Sequence, residues 1–196
     1  MASRGILRLA PKTTALLLCD MQEKFRGTVR FFPEIVAMSH RMLMASQELK
    51  MPVLVTEQYP KGLGRTVAEL GLDDTGITPM EKTQFSMCIE PILKGLKERN
   101  VQNVILCGIE SHACIQQTAL DLLDEGYGVC VVVDACSSRS MADRTFAFRR
   151  MEKAGAVLST SEAVILELVR DAKAPQFKNL QKLIMEQAPD CGLAAP

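Results

Sequence analysis

The chain has 196 residues, with 23 Lys and Arg balanced by 23 Asp and Glu, so its formal net charge is zero; 47% of its residues are apolar. A neutral chain without long runs of one sign lacks the electrostatic footprint of a nucleic-acid or anionic-membrane binder, and its apolar content argues against disorder. No stretch approaches the roughly 18–20 apolar residues of a membrane span, and one compact soluble domain covering residues 1–196 is expected at this length.

In chain order, residues 1–12 carry Arg4, Arg8 and Lys12 and no acid precedes Asp20. That faintly resembles a transit peptide, and this segment is expected to be flexible. Thr14–Cys19 (TALLLC) is a continuous apolar run, as suits a strand buried on both faces. Pro33–Lys50 predicts a helix with Pro33 in its first turn and Ile35, Met38, Met42 and Leu49 along one face. Pro52–Thr56 (PVLVT) reads as a second strand. Gln58–Gln84, rich in Gly and Pro with weak periodicity, reads as a long loop of the kind that covers a site. A helix over Ile89–Glu98 leads to a strand at Val104–Cys107, closed by Gly108. Cys114–Asp124 predicts the next helix and Val129–Val133 the next strand. Ser140-x-x-Asp143 opens a helix that ends before Gly155, and Ala156–Leu158 begins the last strand. Ser159-x-x-Glu162 reads as a capping box for Ala163–Asp171. Pro175 separates a final helix, Gln176–Met185, from a tail over 187–196 that is expected to be flexible. Strands alternating with helices imply an α/β fold with one mostly parallel sheet covered on both faces, and ligands in such folds sit at the carboxyl ends of the strands.

The seven cysteines are odd in number and form no Cys-x-x-Cys pair. They read as reduced thiols of an intracellular protein, most of them core residues, with the cytoplasm as the expected compartment and the mitochondrion or nucleus as alternatives. Cys114 stands apart. A thiol at a strand–turn–helix junction meets the positive end of the helix dipole and free backbone N–H groups, which favour the thiolate. Asp20 lies just beyond the first strand, where a carboxylate is more often a loop cap than a catalyst. Lys82 alone would read as a solvated charge, and matters only if it faces Asp20 and Cys114. Asp134, after VCVVV, reads by default as a loop-fixing hydrogen-bonding group and is also a candidate pocket residue. Cys19, Cys107 and Cys130 read as core. With only His40 and His112 in the chain, no two-histidine metal site is expected.

Together the segments LLLCDMQEKF (16–25), VLVTEQYPKGLG (53–64), EKTQFSM (81–87), LCGIESHACI (106–115), VVVDACSSRS (131–140) and STSEAVILELV (159–169) resemble the isochorismatase-like cysteine hydrolases along essentially the whole chain. The resemblance implies a Rossmann-like three-layer α/β/α sandwich with a parallel sheet of about six strands. It places the family's catalytic Asp, Lys and Cys on Asp20, Lys82 and Cys114. It also implies a cis peptide between Ile109 and Glu110 and oxyanion-binding amides at Ala113 and Cys114, with Gln22, Phe25, Gln58 and Tyr59 as further candidate pocket residues. TEQYPKG contains no His where metal-binding members of the superfamily carry ligands, so no metal or cofactor is expected. The implied activity is hydrolysis of an amide or related C–N bond of a small molecule through a Cys thioester, by a homo-oligomer without nucleic-acid or membrane partners. A protein-interaction role with a silent triad and a thiol redox sensor built on Cys114 are the alternatives.

Overall fold

The computed structural model describes residues 6–193. Six strands form one sheet: β1 (Thr14–Cys19), β2 (Val53–Gln58), β3 (Met80–Lys82), β4 (Asn103–Ile109), β5 (Gly128–Ser137) and β6 (Val157–Ser159). Every pairing is parallel and the order is β3-β2-β1-β4-β5-β6. The order reverses between β1 and β4, and in such sheets the crevice beyond the carboxyl ends at the reversal is where ligands bind.

β1 is buried along its whole length, and successive side chains alternate between two cores because the strand repeat is two residues. Leu16 and Leu18 join Ile105, Cys107, Cys130 and Val132 under α1 (Phe32–Glu48), α6 (Ser161–Val169) and α7 (Phe177–Met185). Ala15, Leu17 and Cys19 join Val104, Leu106, Val129 and Val131 under α3 (Glu90–Glu98), α4 (Gln116–Asp124) and α5 (Met141–Ala154). The continuous apolar runs in the sequence are thus two interleaved sets, one for each layer of a sandwich.

Three readings from the sequence need correction. The stretch Gln58–Gln84 is not all loop. It carries the short helix α2 (Pro60–Leu63), a 3-10 turn at Ala68–Leu70 and the edge strand β3, whose three residues are too few to show a period. The helix expected to begin at Cys114 starts as a π-helical turn, Ser111–Ile115, before α4 takes over at Gln116. The cap of α6 is Thr160, not Ser159: its hydroxyl accepts from the Ala163 amide at 3.4 Å. Ser140 caps α5 as its spacing predicts, accepting from the Asp143 amide.

Of the expected flexible ends, residues 1–5 and 194–196, and with them Arg4, lie outside the described residues. Within the remainder, Leu9 and Cys191 are anchored. Leu9 is buried, its amide donates to Glu167 Oε1 at 2.9 Å, and its carbonyl accepts from Arg170. Near the other end, Arg144 Nη1 donates to the carbonyl of the buried Cys191. No helix among the described residues is long and apolar enough to cross a membrane.

Gly108 is needed where β4 meets β1. Its φ is +131°, and a Cβ there would overlap the Cys19 carbonyl oxygen and stand 2.8 Å from the Cys19 amide nitrogen. Gly108→Ala is therefore expected to destabilise the chain by about 3 kcal/mol or more through combined strain and overpacking, read as a fall in the urea midpoint. A loss below about 1 kcal/mol would show that β1 and β4 can separate at this point.

Candidate active site

Four strand ends and the segment after β3 meet at the switch point. Asp20 follows β1 with φ +53°, a left-handed conformation that Asp tolerates better than most residues. Its Oδ1 accepts from Thr56 Oγ at 2.8 Å and its Oδ2 from Lys82 Nζ at 2.7 Å. The two side chains are 1% and 0% exposed. Besides Asp20, Nζ donates to Gln58 Oε1 at 2.7 Å and to the carbonyls of Phe85 (2.8 Å) and Gln84 (3.2 Å). Burial alone would push the Lys82 ammonium down, but the surrounding Cys19, Asp20 and Cys114 raise it above its ordinary value.

Cys114 lies in the π turn and is 7% exposed. Its sulfur, the Cys19 sulfur and an Asp20 carboxylate oxygen all lie within 4.8 Å of one another. Thr118, one helical turn on, donates its hydroxyl to the Cys114 carbonyl at 2.6 Å and accepts the Met87 amide at 2.8 Å, which fastens the Cys114 turn to the segment after Lys82. The peptide between Ile109 and Glu110 is cis. Glu110 holds Arg139 through three bonds, two from the guanidinium (Nε 3.1 Å, Nη2 2.8 Å) and one from the Arg139 amide at 3.0 Å. His112 bonds Ser138 through Nδ1 at 3.0 Å.

Asp20, Lys82 and Cys114, the three residues singled out from the sequence, are brought together. The candidate pocket residues divide. Gln58 steers Lys82 and bonds the Thr83 carbonyl with its amide group. Tyr59, exposed, shares with Lys82 a cleft of about 540 Å³ that also includes Gln84 and Ile89. Phe25 is half-buried against the core on the α1 side. Gln22 is wholly buried, and its amide ties together the Gln58 and Gly64 backbones. Asp134 likewise serves the fold, receiving both the amide and the hydroxyl of Ser161 and so fixing α6 on β5. Of the two expected oxyanion donors, the Ala113 amide is already engaged with the Glu110 carbonyl at 3.1 Å.

The residues that the sequence did not single out are Thr56, Thr118 and Cys19. Thr56 is a hydroxyl at a strand end facing Asp20, a signal visible only once β2 is known to pair with β1. Cys19 is buried as expected of a core residue, yet its thiol donates to Asp20 Oδ2 at 3.4 Å. Burial, a hydrogen bond with Cys114 and the Asp20 charge push it well above the ordinary thiol range. Two sulfurs and a carboxylate are a donor set a soft metal ion could use. The Lys82 ammonium on the same carboxylate opposes any such cation.

The isochorismatase domain matches residues 14–163. The chain is 56% identical over 191 residues to isochorismatase domain-containing protein 2 of Xenopus laevis, covering 97% of this chain and 92% of the relative. With the human protein of the same name the identity is 55% over 187 residues, 95% of this chain and 90% of the relative. A solved structure described as MAR1 ribonuclease from Caenorhabditis elegans superposes with a TM-score of 0.91 and 52% identity, covering 97% of this chain and 98% of that one. The YcaC gene product of Escherichia coli, described as an octameric hydrolase of unknown specificity, superposes at a TM-score of 0.77 with 25% identity, over 92% and 97% of the two chains.

Lys82→Met would leave Asp20 buried without its counter-charge, and a loss of about 3–5 kcal/mol in unfolding free energy is expected. Adding Asp20→Asn should restore part of that loss, a coupling a denaturation double-mutant cycle measures directly. At the rim, burial would raise the Glu110 carboxyl, but its bonds to Arg139 hold it below the usual carboxylate range. A depressed carboxyl stabilises the fold above its unfolded value of about 4.3 and ceases to do so as pH falls through the folded one. Arg139→Met should accordingly cost about 1 kcal/mol at pH 7, the difference from wild type shrinking below about pH 4.

Proposed function

Because the chain belongs to the isochorismatase family, we propose that it is a hydrolase that cleaves an amide or related C–N bond of a small molecule, with Cys114 as nucleophile. One observation carries this reading: the Cys114 sulfur stands within 4.8 Å of a carboxylate oxygen of Asp20, whose orientation is fixed by Thr56 and Lys82. In this reading Asp20 takes the thiol proton and the sulfur attacks the substrate carbonyl carbon. The resulting oxyanion is received by backbone N–H groups of the π turn. The C–N bond then breaks as Asp20 returns the proton to the leaving amine, and water hydrolyses the thioester. Lys82 stays charged throughout, balancing the carboxylate when it is ionised. To serve as an oxyanion donor, the Ala113 amide must first leave the Glu110 carbonyl.

The Caenorhabditis elegans relative is described as a ribonuclease. Phosphodiester cleavage without a metal calls for paired acid–base groups, commonly histidines. Here His40 sits on α1 bonded to the Leu70 carbonyl, and His112 sits in the π turn bonded to Ser138, so the two belong to separate elements. A nucleophile that is 7% exposed also suits a small carbonyl compound better than a polymer backbone. Homo-oligomerisation is part of the same proposal, in keeping with the octamer described for the Escherichia coli relative. So is a reducing compartment, the cytoplasm first, in keeping with seven free thiols.

Assay of a panel of small amides should find turnover that Cys114→Ala abolishes and Asp20→Asn lowers by about 10²–10⁴. Wild type caught with substrate should carry an acyl mass on the Cys114 peptide. Turnover surviving in Cys114→Ala would exclude covalent catalysis by this thiol, and cleavage of RNA by that variant at the wild-type rate would place any ribonuclease activity elsewhere.

A further inference from the structure

We propose that Cys19 is the resolving thiol of Cys114: oxidation of the Cys114 sulfur by a peroxide is followed by a Cys19–Cys114 disulfide that shuts the site. The inference rests on the reading of Cys114 as the reactive thiol and adds a modification site with its own chemistry.

The geometry comes from strand alternation. Ala15, Leu17 and Cys19 face the α3–α5 layer, and Cys114 belongs to that same core, so the last side chain of β1 meets the first turn beyond β4. The two sulfurs lie within 4.8 Å of each other, beside the same Asp20 carboxylate oxygen. Closing the bond brings the sulfurs from that separation to the roughly 2.05 Å of an S–S bond. Gly108 permits the approach, since any Cβ on it would stand 2.8 Å from the Cys19 Cβ. Four of the other five thiols are placed differently. Cys107 and Cys130 face the opposite core. The Cys88 sulfur is turned to the Thr118 carbonyl at 4.0 Å and the Cys136 sulfur to the Leu106 carbonyl at 3.8 Å.

Burial divides the labour. Cys114 is slightly exposed, enough for a molecule the size of hydrogen peroxide, whereas Cys19 is closed to solvent. The Cys114 thiolate attacks one peroxide oxygen and the O–O bond breaks. This gives Cys114 sulfenic acid and hydroxide, which leaves as water with the proton that Asp20 took from the thiol. The Cys19 sulfur then attacks the sulfenic sulfur: the S–S bond forms, the S–O bond breaks, and the departing hydroxide takes the Cys19 proton as a second water. Two thiols are oxidised by two electrons and one peroxide is reduced to two waters. A dithiol reverses the step by exchange. With the bond closed the nucleophile is gone, while the Asp20–Lys82 pair stays in place.

The test uses the full chain, hydrogen peroxide and a peptide map made without reductant after iodoacetamide. Wild type should yield the Cys19 and Cys114 peptides joined as one species, two hydrogens lighter than their sum, with Cys114 alkylation reduced by at least about tenfold. Dithiothreitol should restore both. In Cys19→Ser, peroxide should drive Cys114 on to sulfinic acid that dithiothreitol does not reverse; in Cys114→Ser, Cys19 should remain reduced. Wild-type Cys114 appearing as sulfinic acid, or joined to another cysteine, overturns the proposal. Full recovery of oxidised Cys19→Ser by dithiothreitol does the same. Should Cys19→Ser fail to fold, the wild-type map decides alone. The map reads the bond regardless of what the chain hydrolyses. Absence of amide turnover in reduced protein therefore counts against the hydrolase reading only, and absence of the cross-link in an active enzyme counts against this one only.

Discussion

An ammonium and a carboxylate shut away from water at 2.7 Å, Lys82 on Asp20, set the conditions for everything around them. Burying such a pair is unfavourable unless the geometry is good and the remaining hydrogen-bonding positions are filled. Here they are filled from several directions: Thr56 covers the other carboxylate oxygen, and Gln58, Gln84 and Phe85 accept the remaining ammonium protons. Thr56 pairs with Cys19 across β1–β2, and Gln58 pairs with Lys82 across β2–β3. A slip of one residue in either pairing would turn these side chains to the wrong face and strand the charges. The edge strand β3 is only three residues long, yet it has to hold its register because Lys82 is its last residue.

The same alternation decides which groups can meet the Cys114 sulfur. Had β1 continued, residue 20 would face the layer opposite to Cys19. The left-handed backbone at Asp20 ends the strand and brings its carboxylate back beside the Cys19 thiol, on the side where Cys114 lies. Two adjacent residues therefore serve one sulfur, an arrangement a regular strand cannot make. Gly108 is the counterpart on β4, where the absence of a side chain lets the chain turn against Cys19.

What was legible in the sequence follows from these constraints. β1 was readable to the residue because six buried positions leave a continuous apolar run, and the α5 cap was readable because Ser140 and Asp143 carry the spacing themselves. Asp20 and Cys114 stood out by position, at strand ends. Lys82 did not: an isolated lysine after a Gly- and Pro-rich stretch looks like a surface charge, and only the family resemblance singled it out. β3 was hidden because Met80–Lys82 is too short for a period and is held by pairing with β2, a non-local cause. Gln22 and Asp134 were open to two readings for a related reason. A polar side chain at a strand end is equally compatible with a pocket and with a strut, and both turned out to tie backbone segments together. The thiol of Cys19 was rightly read as buried, but burial does not say which layer holds Cys114.

The π turn joins these elements into one mechanical unit. The amides of Ala113 and Ile115 both converge on the Glu110 carbonyl, while the carboxylate of Glu110 grips Arg139 beyond β5. Thr118 then links the Cys114 carbonyl to the Met87 amide, so the segment that supplies Gln84 and Phe85 to the Lys82 ammonium is hydrogen-bonded to the helix that follows Cys114. A displacement of residues 83–87 would loosen the ion pair and shift the sulfur together. The exposed rings of Tyr59 and Phe85 ride on this assembly, Tyr59 through its amide on the Lys82 carbonyl and Phe85 through its own carbonyl on the ammonium. The apolar rim and the buried charges are therefore not independent parts. Each ring thus stands one or two hydrogen bonds from the lysine that holds the carboxylate beside Cys114.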